Sequence, residues 1–398
     1  MSDADRTTST VPYISSIPEH VRWGTLPLRE DAPVATLDSG ALVDIDTVSH
    51  EGLLEDQGSD PLAFFGAQGV PPEGVLPDAI AIARRLQRPD GFGPHVITGP
   101  IAVLGAQPGD YLAIDIVRLR PRVPYGVVSN RHGRGVLPDL PRNGATVSVF
   151  ARQISHDGML FGQMELSGPD AIDRYARRVP GTRMLAGERG DGLDGNGDET
   201  IAREGNSDSD GIARSDDPGV VTFPLAPFLG IAGVTPESRT RLSTVPPADF
   251  GGNIDINLLV EGTRLYLPIF ISGAGFYIGD PHFSQGNGEV ALTAFEASLS
   301  ARVRLTVIPH EDFVGRYGAL EGPLAETPEY LVPTGRSERL DDALEHCTQE
   351  AIRVLVTRYG MDEAHAYAYL SAATDFDISE AVDIQRGVHA CIRKADFE

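Results

Sequence analysis

The chain has 398 residues, 41% hydrophobic and 23% charged, with 44 glycines and 30 prolines. That length allows two or three units of ordinary size and a large core. Gly and Pro spread between short apolar runs point to a β-rich fold with many turns. A formal net charge of −24 excludes a nucleic-acid partner, because a phosphate backbone would be repelled, and fits a solvated acidic surface able to attract cations.

Residues 1–12 are polar and read as a frayed N-terminus without the apolar run of a signal peptide. Val43, Ile45 and Thr47 alternate after a turn at Gly40, predicting a strand that ends at Ser49-His50-Glu51-Gly52. Ile80, Ala83 and Leu86 share one face of a short helix expected near 78–86. Strands follow around 101–104 and 111–117, joined by Gln107-Pro108-Gly109-Asp110. A hairpin over 147–154 and 159–166 is closed by His156-Asp157-Gly158.

Residues 187–219 are crowded with Asp, Glu, Gly, Asn and Ser and predict a solvated surface loop. Within it Asn206, Asp208, Asp210, Gly211 and Asp217 loosely match a calcium loop. Pro218-Gly219 would forbid the exiting helix, so the acidic-loop reading is preferred. Residues 253–278 read as a hairpin turning at Glu261-Gly262, and 289–308 as one or two strands. The period then becomes helical: Leu340, Leu344, Cys347, Ala351, Val354 and Leu355 mark one helix, with Ser337 as N-cap and Gly360 as stop. A second helix is expected over 362–373. The expected organisation is a disordered segment 1–12, a β-rich half 13–186, an acidic flexible loop 187–219, a second β-rich half 220–335 and a C-terminal helical segment 336–398.

Lys394 is the only lysine, and Cys347 and Cys391 are the only cysteines. Two reduced thiols, no segment able to span a bilayer and a cytoplasmic location are the expectations. Amidases built on a buried lysine, whether Ser–Ser–Lys or Glu–Lys–Cys, lack that residue in a suitable place. No G-x-S-x-G, C-x-x-C or H-E-x-x-H occurs. A hydrolase on this chain would most simply activate water with carboxylates, histidines and a metal.

The richest segment for such chemistry is Gly279-Asp280-Pro281-His282-Phe283-Ser284-Gln285-Gly286-Asn287-Gly288-Glu289. Asp280 and His282, two apart in extended chain, leave the same face. They suit either two ligands on one cation or a carboxylate that orients an imidazole. Gln285 offers hydrogen bonds to an amide. Gly286 and Gly288 offer unobstructed N–H groups for an oxyanion. Glu289, expected at a strand start, is placed for general base work, and Asp255 precedes the neighbouring strand. A polar Gly-rich turn of this kind also serves simply to satisfy backbone. His50 and His95 are histidines of ordinary loops, and His132 is flanked by Arg131 and Arg134.

With these residues in hand, the chain resembles the acetamidase/formamidase family. The resemblance runs through Thr98-Gly99-Pro100-Ile101, Gly105-Ala106-Gln107-Pro108-Gly109-Asp110, Gly251-Gly252-Asn253-Ile254-Asp255 and Leu265-Tyr266-Leu267-Pro268. It continues through residues 279–289 to Ala366-Tyr367 and Leu370-Ser371, covering roughly 20–390. It implies a β-rich α+β fold, with a sandwich or barrel core, flanking helices and a C-terminal helical pair. It also implies hydrolysis of short-chain amides to carboxylate and ammonia, homo-oligomers, and a divalent metal, zinc or calcium. On that reading Asp280, His282, His50 and His95 are the metal-ligand candidates, while Glu289, Asp255, Gln285, Gly286 and Gly288 serve catalysis. Against the family's run G-D-G-H-A-A-Q-G-D-G-E, Pro281, Phe283, Ser284 and Asn287 are departures. Asn287 removes a carboxylate, and Phe283 adds bulk where an acyl pocket is expected. The alternatives are a β-sandwich module that binds a metal or ligand without catalysis, and an ester or lactone hydrolase using the same site.

Overall fold

Short alternating and fully apolar runs fold here as strands, and the computed structural model describes residues 11–165 and 219–397. In chain order the first part holds β1 (Tyr13–Ile14), β2 (Val21–Trp23), β3 (Ala35–Leu37), β4 (Ala41–Asp46), α1 (Pro61–Gly66) and α2 (Pro77–Arg85). Next come β5 (Val96–Val103), β6 (Tyr111–Pro121), β7 (Tyr125–Arg131), β8 (Thr146–His156), β9 (Met159–Glu165) and β10 (Val220–Pro224). Then follow β11 (Phe228–Gly233), β12 (Gly251–Asn253), β13 (Arg264–Pro268), β14 (Phe276–Ser284), β15 (Phe295–Glu296) and β16 (Leu299–Ile308). The last part holds α3 (His310–Tyr317), β17 (Leu324–Glu326), β18 (Tyr330–Ser337), α4 (Leu340–Tyr359), α5 (Glu363–Ala373), β19 (Asp375–Glu380) and β20 (Arg386–Arg393).

Two compact units result. Among the described residues, one comprises 11–151 and 225–397, and the other 152–165 and 219–224. In the smaller unit β10 runs antiparallel to β9, with Val220 opposite Glu165 and Pro224 opposite Phe161. The turn that leads into β9 places Asp157 and Gly158 at φ 49° and 81°, the pair of positive values that a two-residue hairpin turn requires. The acidic loop and its calcium-like spacing lie outside the described residues, Gly219 excepted.

The larger unit contains a nine-stranded sheet in the order β1-β4-β16-β6-β13-β17-β18-β20-β19. Its central strands are apolar on both faces, as in Leu265, Tyr266 and Leu267, all buried. α4 packs on β18 and β20, where Cys347, Ala351, Val354 and Leu355 meet Leu331, Val388, Ala390 and Ile392. Helix and strand touch at Gly335, where a Cβ would overlap the backbone of Ala343 and Cys347. In the second sheet β14 is central: β5 and β11 pair with it, β15 pairs with its end, and β7 pairs with β15. Neither sheet closes into a barrel.

Several expectations need correcting. Residues 253–278 are not a hairpin. Glu261-Gly262 is a real turn, but β12 pairs with β11 while β13 pairs with β6 and β17, so its two arms join different sheets. The fully buried residues of α2 are Ala79 and Ile82, while Ile80, Ala83 and Leu86 are half-buried and pack against the apolar clusters. Leu344 faces solvent at 44% exposure, and the N-cap position of α4 is Arg339, whose side chain makes no capping bond, rather than Ser337. The C-terminal segment is not wholly helical, because β19 and β20 form an antiparallel hairpin beyond α5. Among the described residues no helix is long and apolar enough to cross a membrane.

Candidate active site

The site is assembled where β14 carries Asp280 and His282. β14 is buried along most of its length, and its period of two sends Asp280 and His282 to one side, with His282 Nε2 3.3 Å from Asp280 Oδ2. Asp280 takes a left-handed φ of 48° inside the strand, and the ladder with β15 shifts register between His282 and Ser284. Such irregularities re-aim side chains near functional sites.

Other elements bring their groups to the same place. His50 follows β4, in a bend whose Ser49 N–H donates to Ser298 Oγ at 3.0 Å. His95 immediately precedes β5, with Nδ1 3.1 Å from Thr244 Oγ1. Glu296 lies on β15 and Asp255 just beyond β12. Around the imidazoles, His50 Nδ1 is 3.4 Å from Asp280 Oδ1 and His95 Nε2 is 3.8 Å from Asp280 Oδ2. His282 Nε2 is 3.1 Å from Glu296 Oε1, and its Nδ1 is 3.8 Å from Asp255 Oδ1.

Three donor groups, each with its ligand atoms within 4.8 Å, overlap here: His50, His95 and Asp280; Asp255, Asp280 and His282; His282, Glu289 and Glu296. Asp280 and His282 belong to two groups each. Both ring nitrogens of His50 and of His282, both oxygens of Asp255 and Oδ1 of Asp280 are buried without a hydrogen-bond partner. The approaches of His50 and His282 to Asp280, Asp255 and Glu296 are therefore close contacts rather than formed hydrogen bonds. Desolvated donors left unpaired are costly in a protein interior. Gly230 leaves room beside them, since a Cβ there would lie 2.6 Å from Asp255 Oδ1, 2.6 Å from His282 Cε1 and 2.9 Å from Asp280 Oδ2. A cluster of imidazoles and carboxylates converging on a space with no side chain in it fits a divalent cation.

Burial sets the electrostatics. Desolvation first, then Asp255, raises the Glu289 carboxyl well above its ordinary range. Desolvation likewise raises Asp255, against the pull of His282. For Asp280 burial is outweighed by His95, His282 and His50, which hold its carboxyl low. Burial alone would lower His50, but Asp280 and Glu51 hold the imidazole at about 10. His95 is pushed down to about 4, chiefly by burial. Burial would raise Glu51, yet His50, Arg131 and Ser129 hold it at about 2.

His50, His95, Asp280, Glu289 and Glu296 line a cavity of about 510 Å³, with Leu54, Phe92 and Leu292 on its apolar side, whereas the buried Asp255 and His282 are not part of its lining. Asp383, Arg131 and Arg134 also reach it. Glu289 is not at a strand start. It sits in a turn at φ 43°, with its N–H on the Gly286 carbonyl at 3.1 Å.

Gln285 is turned away from the cavity, and its amide donates to the carbonyls of Asp255 and Ser379 at 3.0 and 3.1 Å. Gly288 N–H is committed to Ser379 O at 3.2 Å, and Gly286 is exposed. Phe283 packs edge-to-face against Phe295 in the core and does not line the cavity. His132 is exposed, with Nδ1 on the Pro141 carbonyl.

Sequence reasoning missed Glu296, Asp383 and Gly230. Glu296 had a signal, a single acid inside the apolar run Ala294-Phe295-Glu296-Ala297. Asp383 and Gly230 had none, because their roles arise only from pairing between distant segments.

A β-rich protein of two separate sheets, with a buried histidine–carboxylate centre at the end of a central strand, is the class defined by this fold and site. The chain belongs to the acetamidase/formamidase family, whose pattern matches residues 83–243 and 238–393. It is 28% identical over 258 residues to a formamidase of Methylophilus methylotrophus, covering 61% of this chain and 58% of that protein. To an acetamidase of Mycolicibacterium smegmatis it is 30% identical over 214 residues, 49% of each. The chain thus spans about half the length of these relatives. An acetamidase structure from Bacillus halodurans shares the fold, with a TM-score of 0.66, 19% identity and coverage of 97% of this chain and 98% of that one.

Proposed function

We propose that this protein hydrolyses the carbon–nitrogen bond of small amides, releasing a carboxylate and ammonia. The observation that carries the reading is that Asp280, Glu289 and Glu296 line one cavity, with the fully buried His282 3.3 Å from Asp280, and that buried donor atoms among them are left unpaired. His282 and Asp280, with His50 or His95, would hold a divalent cation. A set mixing imidazole and carboxylate suits zinc better than calcium, which prefers oxygen ligands alone. When bound, the cation supplies Lewis acidity that polarises a carbonyl and acidifies water.

Glu289 moves the proton. Its raised affinity for a proton fits a group that takes one from the attacking water and hands it to the leaving nitrogen, since an amide anion cannot leave unprotonated. The water oxygen bonds to the carbonyl carbon, the carbon–nitrogen bond breaks, and the nitrogen leaves as ammonia. Asp255 orients His282 from its Nδ1 side. The oxyanion role expected of Gly288 is not adopted, because its N–H is already bonded.

Names of relatives suggest formamide or acetamide, but the cavity argues for a larger acyl group. At roughly 30 Å³ per water-sized group, the four heavy atoms of acetamide need about 120 Å³, well below the 510 Å³ present. The test is ammonia release across amides of increasing acyl size, with metal analysis of the same sample. Turnover should rise beyond acetamide and vanish on chelation. Ester or lactone cleavage without ammonia would replace this reading with the hydrolase alternative. Metal-dependent stability without any turnover would leave a binding module.

A further inference from the structure

The geometry points to a second divalent-metal site, separate from the catalytic cavity, formed on the β19–β20 hairpin by Asp377, His389 and Cys391. One ligand atom from each lies within 4.8 Å of the others. Register brings them together: Asp377 stands opposite His389, and Asp375 opposite Cys391. His389 and Cys391 are two apart and so share a face. Directly opposed residues on an antiparallel pair are close enough to act together. One imidazole, one thiol and one carboxylate form a donor set suited to zinc, with Asp375 or water available for a fourth position.

His389 gives the independent sign of a ligand. It is fully buried, its Nδ1 is 2.7 Å from Ser379 Oγ, and its Nε2 has no partner. A hydrogen bond on one ring nitrogen that orients the other is the usual arrangement for a metal-bound histidine. The Cys391 thiol is pushed up to about 11 by burial and by Asp377 and Asp375.

The consequence reaches the catalytic turn. The carbonyl of Ser379 accepts from Gly288 N–H at 3.2 Å and from Gln285 Nε2 at 3.1 Å. A cation on the hairpin would therefore brace the strand that fastens the Glu289 turn. This inference stands independently of the proposed reaction.

The chain's two cysteines make the site readable. Cys347 is sealed beneath β18 with Sγ toward the Pro333 carbonyl at 3.4 Å, so any thiolate–metal signal must come from Cys391. The full-length protein is stripped with chelator and titrated with cobalt and then zinc. A thiolate-to-cobalt charge-transfer band should appear, persist in His282→Ala and disappear in Cys391→Ser. Zinc content should fall by one equivalent per chain in Cys391→Ser. Asp377→Asn, which keeps shape and fold, should weaken zinc binding roughly tenfold or more. Absence of the band in the wild type, its survival in Cys391→Ser, or unchanged zinc affinity in Asp377→Asn would overturn the site. Loss of the band in His282→Ala would assign it to the catalytic centre instead and overturn it equally.

Discussion

Asp255, Asp280 and Glu289 have left-handed φ values of 46°, 48° and 43°. Asp adopts this region with modest cost, whereas Glu gains no local hydrogen bond from it, so Glu289 is the most constrained of the three. Backbone conformations of this kind cost about 1–3 kcal/mol each and persist where surrounding structure enforces them. Here they turn three carboxylates toward one space. Glu289→Gln keeps the side-chain shape and removes only the carboxylate oxygen proposed to move the proton. We expect ammonia release to fall by about 10²- to 10⁴-fold, with metal content and Tm unchanged; retained turnover would take the role from Glu289. Gly230→Ala acts differently, because its Cβ enters the space among Asp255, His282 and Asp280. Metal content should drop with activity while far-UV circular dichroism stays native, and a fully loaded variant would show that the space holds no cation.

At the scale of elements, legibility followed how local the cause was. Asp280 and His282 could be placed on one face because a strand's period depends only on the strand. α4 could be read because Cys347, Ala351, Val354 and Leu355 repeat at helical spacing and Gly360, at φ 68°, ends it. The 253–278 segment misled because a real turn at Glu261-Gly262 separates strands whose partners are far away in sequence. The β19–β20 hairpin was hidden by its position directly after two helices, although Phe376 and Ile378 alternate with acids. At the site, Asp280 and His282 could be read as neighbours from the strand alone, but the approach of Glu296 and Asp383 depends on pairing between distant segments. Asp383 reaches the cavity only because Glu380 Oε2 accepts from its N–H at 2.9 Å and the Asn253 side chain donates to its carboxylate. Gln285 illustrates the same lesson, since an amide that looked like a substrate contact instead ties β14 to β19 and to the Asp255 turn. Gln285→Ala leaves the buried Asp255 carbonyl without its donor, while the Ser379 carbonyl keeps the Gly288 N–H, and should cost about 1–3 kcal/mol. Urea unfolding reads that loss, and an unchanged midpoint would show that the tie is dispensable.

Across the whole molecule, the charge of −24 and the buried acids act together. Self-repulsion among surface carboxylates is screened by salt, so Tm should rise as sodium chloride goes from about 0.01 M to 1 M, and a flat response would deny that repulsion matters. The buried acids set a separate dependence on pH. With the cation removed, Asp255, Glu289 and Asp383 have carboxyls raised, by burial first and by neighbouring acids next. A group raised on folding contributes stability that is complete below its unfolded pKa and is lost as pH climbs through the folded one. His50, held at about 10, adds a contribution that is full below about 6.5 and fades toward its folded value. His95 and Glu51 are lowered to about 4 and about 2, so they act on the acid side of that window. Above about pH 6.5 the metal-free protein should therefore weaken steadily. Cation binding runs the other way, because ligands that release protons bind more tightly as pH rises. Hence the fall in Tm caused by chelator should widen between about pH 6.5 and pH 9, measured at constant ionic strength. A gap that stays constant or narrows would mean that the histidine–carboxylate centre neither holds the cation nor carries its buried charge alone.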